Sequence, residues 1–129
     1  MRIAITGATG FIGRRICSLL ESPRYRVRAL ARNAPAARRL LASDVEIVTG
    51  DLASPEVLRA AVRDADAVLH LAGAVRGATR ADFDAANVDG SAELLAAMDA
   101  VAPRARLLFF SSLAAREPAL SHYAASKRR

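Results

Sequence analysis

A chain of 129 residues, 53% of them hydrophobic, is long enough for one domain with its own core and too apolar to stay disordered. No apolar run approaches the roughly 20 residues that a membrane span needs, Met1 leads directly into a strand so that no signal peptide is expected, and the single Cys17 excludes an intrachain disulfide and fits a reducing, cytoplasmic setting. The formal charge of +6 raises the question of a nucleic-acid partner, but Lys127 is the one lysine among 19 basic residues and the arginines are scattered without interleaved aromatics, so neither a specific nucleic acid nor a membrane is expected.

The apolar run Ile3-Ala4-Ile5 predicts a first strand over Arg2–Thr6. Next comes Thr6-Gly7-Ala8-Thr9-Gly10-Phe11-Ile12-Gly13, which reads as a strand end, a glycine turn and a helix start. In such a turn Gly7 takes a positive φ, Gly10 lacks the side chain that would hold a phosphate away, and Gly13 lets the helix lie close to the strand. The free N–H groups and the positive end of the helix dipole then face an anion, and a dinucleotide pyrophosphate is the natural guest. The G-x-x-G-x-x-G spacing is a weak signal by itself, since a ligand-free turn gives the same pattern. Its place at the head of an alternating chain strengthens it.

Ile12, Ile16, Leu19 and Leu20 recur at helical spacing, and Pro23 is expected to end that helix. A second strand is predicted over 25–31, a short helix over 36–42 and a third strand over 45–49. Ser54-Pro55 marks a helix start with the hydroxyl as cap, and Val57, Leu58, Ala61 and Val62 form its buried stripe. A fourth strand over 67–71 is apolar enough to be covered on both faces. A long helical pattern then carries Phe83, Val88, Leu94, Leu95 and Met98 and closes at Pro103. A fifth strand over 106–111 and a loop over 113–120 lead to a helix from about Ser121 that is incomplete at Arg129. The alternation predicts an α/β fold, a doubly wound parallel sheet of Rossmann type in the order 3-2-1-4-5, with the ligand at the carboxyl ends of the strands. Cys17, inside the first helix, reads as a small core residue and His70 as a hydrogen-bonded one.

Where the second strand ends, an acid would bind an adenosine ribose, but the chain offers Ala31 and Arg32. A guanidinium fork suits a phosphate, which favours NADP over NAD, although Arg32 could also be a solvated surface group. Arg28, Arg14 and Arg15 could assist or be decoration. Asp51 and Leu52, past the third strand, fall where adenine would lie, though Asp51 could simply end the strand. Ala72 and Gly73 supply small residues where backbone would approach a cofactor. Tyr123 and Lys127, four apart, share a helix face, and an ammonium beside a phenol of ordinary pKa about 10 stabilises its phenolate. With Ser111 or Ser112 holding a substrate oxygen, the set suits proton transfer coupled to hydride transfer at a carbonyl or hydroxyl carbon. A helical surface pair is the bland alternative. No metal-binding set is seen.

With Gly50-Asp51-Leu52, His70-Leu71-Ala72-Gly73, Asn87-Val88-Asp89-Gly90, Ser111-Ser112 and Tyr123-Ala124-Ala125-Ser126-Lys127 in order behind the glycine turn, the chain resembles the extended branch of the short-chain dehydrogenase/reductase superfamily. These are NAD(P)-dependent epimerases, dehydratases and reductases. The resemblance implies that the loop of Gly7, Thr9, Gly10, Phe11, Ile12 and Gly13 binds the pyrophosphate side of the cofactor, Arg32 its 2′-phosphate and Asp51, with Leu52, its adenine. Ala72, Gly73 and Asn87 would lie along the cofactor, with Asn87 equally suited to a structural role. Ser112 would polarise the substrate, Tyr123 would be the acid/base, and Lys127 would bind the nicotinamide ribose and favour the phenolate.

Extended members continue past the lysine into further strands and a smaller substrate domain, whereas residues 1–129 read as the NAD(P)-binding domain alone, a fragment of a longer product. The expectation is therefore weak NADP binding and poor turnover by these residues by themselves, with the fifth strand left as an apolar edge. The implied partner is a small molecule such as a nucleotide sugar or a ketone, and a homodimer is implied for the longer form. A non-catalytic NADP-binding or sensing module is the alternative.

Overall fold

The computed structural model describes residues 1–129. Its five strands, β1 (Arg2–Thr6), β2 (Arg26–Ala31), β3 (Glu46–Thr49), β4 (Ala67–His70) and β5 (Arg106–Phe109), form one sheet in the order β3-β2-β1-β4-β5. Every pairing is parallel, with Ile5 of β1 between Ala29 of β2 and Leu69 of β4. The doubly wound arrangement and its order are those expected.

β1 is central and covered on both sides, so its residues alternate between two cores. Ile3 and Ile5 join Cys17 of α1 (Phe11–Leu19) and Ala37 of α2 (Ala34–Leu40), while Ala4 joins Leu58 and Val62 of α3 (Pro55–Val62) and Leu94 and Met98 of α5 (Gly90–Val101). Leu58 and Leu94 are fully enclosed, each contributing on the order of 1.5–3 kcal/mol. α4 (Arg80–Asp84) and α6 (His122–Arg128) complete the set. No helix is long and apolar enough to cross a membrane.

Several boundaries differ from the sequence expectations. α1 stops at Leu19, four residues short of Pro23, and its inward face is built from Gly13 and Cys17, with Ile12 and Leu19 turned to solvent. A glycine packed on β1 brings the helix too close for a larger stripe. α2 starts two residues early because Asn33 accepts from the Ala36 N–H as its cap. Ser54 precedes α3, but its hydroxyl accepts no capping hydrogen bond. The long helical segment is broken: α4, capped by a reciprocal Thr79/Asp82 box, runs into a π turn over Ala85–Asp89 before α5. That extra residue per turn rotates Asn87 inward, where it is buried. Such a shift is invisible to a 3.6-residue pattern.

Candidate functional site

The glycine turn is held by two close approaches and leaves one opening. Gly7 has φ +73°, and a methyl there would lie 2.6 Å from the Ala72 N; one at Gly13 would lie 2.2 Å from the Gly7 carbonyl oxygen. Both glycines are required by packing within the chain. A methyl on Gly10 would meet only the Gly7 carbonyl oxygen, at 3.2 Å. Space in front of Gly10 is therefore not demanded by the fold, and it opens at the start of α1. That helix alone among the six has neither a capping side chain nor an acid in its first turn. Free N–H groups and an uncompensated dipole end are what an anionic phosphate needs. Phe11, 87% exposed, stands at the rim with Ile12.

Arg32 follows β2, exposed, without an ion pair or hydrogen bond inside the chain. Arg28 points elsewhere: its Nη1 donates to the Ala60 and Arg63 carbonyls at the end of α3, and its Nε lies 2.9 Å from Glu46 Oε1, though off the N–H direction. Arg15 reaches Ser18 of its own helix, and Arg14 is free on the surface. Asp51 forms a local turn, accepting from the Ala53 N–H at 3.0 Å. Leu52 packs into the core beneath α5, close against Gly90.

Past β4 the chain is tied down by polar contacts. Asn87 Oδ1 accepts from the Ala74 N–H at 2.8 Å, and its Nδ2 donates to the Ala74 carbonyl and to Ser126 Oγ, both at 2.9 Å. Ser126 Oγ in turn donates to the Tyr123 carbonyl. Asn87 is thus a strut between the β4 loop and α6. A methyl on Gly73 would meet Asn87 Oδ1 at 2.8 Å and Lys127 Nζ at 3.6 Å, which places these three groups together.

α6 begins at a Ser121 cap and presents Tyr123 and Lys127, both half-buried, on the site side. Lys127 Nζ donates to the Phe110 carbonyl at 3.1 Å and sits 5.2 Å from the Phe109 ring centre. Burial pushes its ammonium below the ordinary lysine range. The Tyr123 ring stacks obliquely on Phe83 and leaves its hydroxyl without a partner in the chain. Ser112 Oγ accepts from the Ala114 N–H and starts the 3-10 turn Leu113–Arg116. Beside Tyr123 lies an open cleft of 530 Å³ lined by Gly77, Phe83, Pro118, Ala119, Leu120, Ser121, His122 and Ala125. A cavity of 570 Å³ at the opposite end of the sheet, among Glu21, Tyr25, Asp44 and Glu46, is remote from all these groups.

The turn, Arg32, Asp51, Gly73 and Ser112 all follow the carboxyl ends of the five strands, beside the point where the strand order reverses. Cys17 is buried and its thiol is pushed up by desolvation, as a core residue. No group of three or more His, Cys, Asp or Glu side chains is placed to hold a metal. Sequence reasoning assigned no role to Ser91 or Ser126. Single serines carry no periodic signal, and their partners are set by the π turn.

A family model described as the NAD dependent epimerase/dehydratase family matches residues 3–128. A ceramide reductase of Caulobacter vibrioides is 44% identical over 126 residues, which cover 98% of this chain and 39% of that protein. A D-erythronate dehydrogenase of Cupriavidus necator is 37% identical, over 88% of this chain and 39% of its own length. The chain therefore spans about two fifths of these relatives. A short-chain dehydrogenase/reductase superfamily protein from Agrobacterium tumefaciens, solved with bound NAD, superposes with a TM-score of 0.83 at 26% identity, over 99% of this chain and 42% of that one.

Proposed function

The chain belongs to the NAD dependent epimerase/dehydratase family, and on that footing we propose that it is the NADP-binding part of an oxidoreductase acting on the carbonyl or hydroxyl carbon of an apolar small molecule. The observation that carries this reading is the opening at Gly10 before an uncapped helix, at the same carboxyl end of the sheet as Tyr123 and Lys127. The phosphates would rest on the N–H groups of the glycine turn. Arg32, exposed and unpaired, favours a 2′-phosphate and so NADP over NAD.

The nicotinamide, when bound, supplies or accepts the hydride. Tyr123, whose hydroxyl is uncommitted, holds the proton that goes to or comes from the substrate oxygen. Lys127 keeps a positive charge beside the site, anchored by the Phe110 carbonyl, and Ser112 would hold the substrate oxygen. The cleft beside Tyr123 is lined without a single Asp, Glu, Lys or Arg. The part of the lining supplied by these residues suits a ketone or alcohol of apolar character. The name of the Caulobacter relative, a ceramide reductase, agrees.

Titration of NADPH into the chain should alter the cofactor's fluorescence; an unaltered signal at millimolar cofactor would refute the reading. In a form extended to the length of the relatives, turnover of an apolar ketone should fall about 10²–10⁴-fold in Tyr123→Phe, with NADPH affinity unchanged. A variant that turns over as fast as the parent would remove Tyr123 from the chemistry.

A further inference from the structure

His70 ends β4, is 2% exposed and makes two hydrogen bonds that the mechanism above does not use. Nδ1 lies 2.6 Å from Thr6 Oγ1 and Nε2 lies 3.0 Å from Ser91 Oγ. The protons on these bonds can be assigned by elimination. Ser91 Oγ donates its only proton to the Asn87 carbonyl at 2.9 Å, so toward His70 it can only accept. Nε2 therefore carries a hydrogen. The ring is neutral, because burial and the nearby Lys127 charge push its pKa down to about 4. Nδ1 then accepts from the Thr6 hydroxyl, whose oxygen accepts in turn from the Ala72 N–H at 3.3 Å.

Each end of this chain of bonds touches a different half of the site. Thr6 immediately precedes the glycine turn, and Ala72 precedes Gly73, which backs onto Asn87 and Lys127. Ser91 is bonded to Asn87, whose side chain holds Ser126, the neighbour of Lys127. We propose that His70, fixed as the Nε2–H tautomer between Thr6 and Ser91, is a positioning residue that sets where Lys127 stands relative to the glycine turn. It rests on the proposed function only for what that placement serves.

Two features make a direct test simple. The chain has two histidines and one lysine, so ring-nitrogen NMR of His70 and a selectively labelled Lys127 each give a readily assigned signal. At neutral pH His70 should show a hydrogen-bearing Nε2 and a bare Nδ1. A protonated Nδ1, an averaged pattern or an imidazolium would overturn the proposal. Ser91→Ala removes the acceptor of Nε2–H while sparing His70; the Lys127 signal should shift and its amine should titrate closer to an ordinary lysine, and Ser91→Thr should restore both. If Ser91→Ala lowers Tm but leaves Lys127 unmoved, His70 is structural only and the proposal fails. None of these readouts needs a cofactor. Titrating NADPH into the same sample tests the proposed function separately.

Discussion

The two halves of the site are held by different physics. Around the glycine turn, order comes from close packing: β1 has four buried residues in five, and both Gly7 and Gly13 sit where a methyl would overlap backbone. Around Tyr123, order comes from a few polar ties. β5 is mostly exposed, Leu113 and Leu120 stand 77% and 80% exposed, and α6 is anchored by Asn87 to Ser126, Lys127 to the Phe110 carbonyl, and Arg129 to Asp84. A packed backbone fails by steric overlap, and a polar tether fails by losing a partner. The first half is therefore intolerant of added volume, the second of lost hydrogen bonds.

The sharpest break in that contrast is Gly13→Ala. Its methyl meets the Gly7 oxygen at 2.2 Å and Ala8 Cα at 2.7 Å, and backbone atoms have little freedom to move away. We expect a loss of about 3 kcal/mol in urea unfolding. Gly10→Ala, which meets one atom at 3.2 Å, should cost no more than about 1 kcal/mol yet weaken NADPH binding at least about tenfold. If the two variants behave alike, the opening at Gly10 has no ligand-binding meaning.

His70 belongs to both halves, and acid should part them. Burial holds its folded pKa at about 4, below the ordinary histidine value of 6.5, so between those values the unfolded chain binds more protons. Stability should be complete above pH 6.5, fall as pH drops toward 4, and level off below it. The loss from this group is on the order of 3 kcal/mol. His70→Gln should flatten that segment of the stability–pH curve, and an unchanged slope would show that the ring is not buried neutral.

Arg32→Ala should act on the packed half from its surface. With no partner in the chain, its loss should leave Tm unchanged while weakening NADPH about 10–100-fold. NADH affinity should hold. Equal effects on both cofactors would remove the argument for NADP.

The packed half was legible in the sequence because each of its constraints is local. The Ile3-Ala4-Ile5 run, the glycine spacing and the apolar fourth strand specify strand, turn and crossover within a few residues, and the sheet order follows from right-handed connections. The tethered half was legible only in its named motif residues. Nothing near Asn87 announces a π turn, and without it the bonds to Ala74, Ser126 and Ser91 could not be placed. Arg28 stayed open between two roles for the same reason: its alternation in β2 is local, but its partners at the end of α3 are 32 to 35 residues away.

The smallest expected effect belongs to the outer strand of the tethered half. The two sheet edges differ: β3 exposes Glu46 and Thr49, whereas β5 exposes Leu108 and Phe109 at 50% and 44%. Charged and polar groups on an edge oppose pairing with another chain, and apolar ones invite it. Leu108 is half exposed and belongs to neither core cluster, so a lysine there can extend into water without disturbing the cores. Leu108→Lys should change unfolding free energy by no more than about 0.5 kcal/mol while shifting sedimentation at high concentration toward the monomer. An association that Leu108→Lys leaves intact would have to run through another surface, and β5 would then be an edge protected by its twist or its shortness rather than exposed by its side chains.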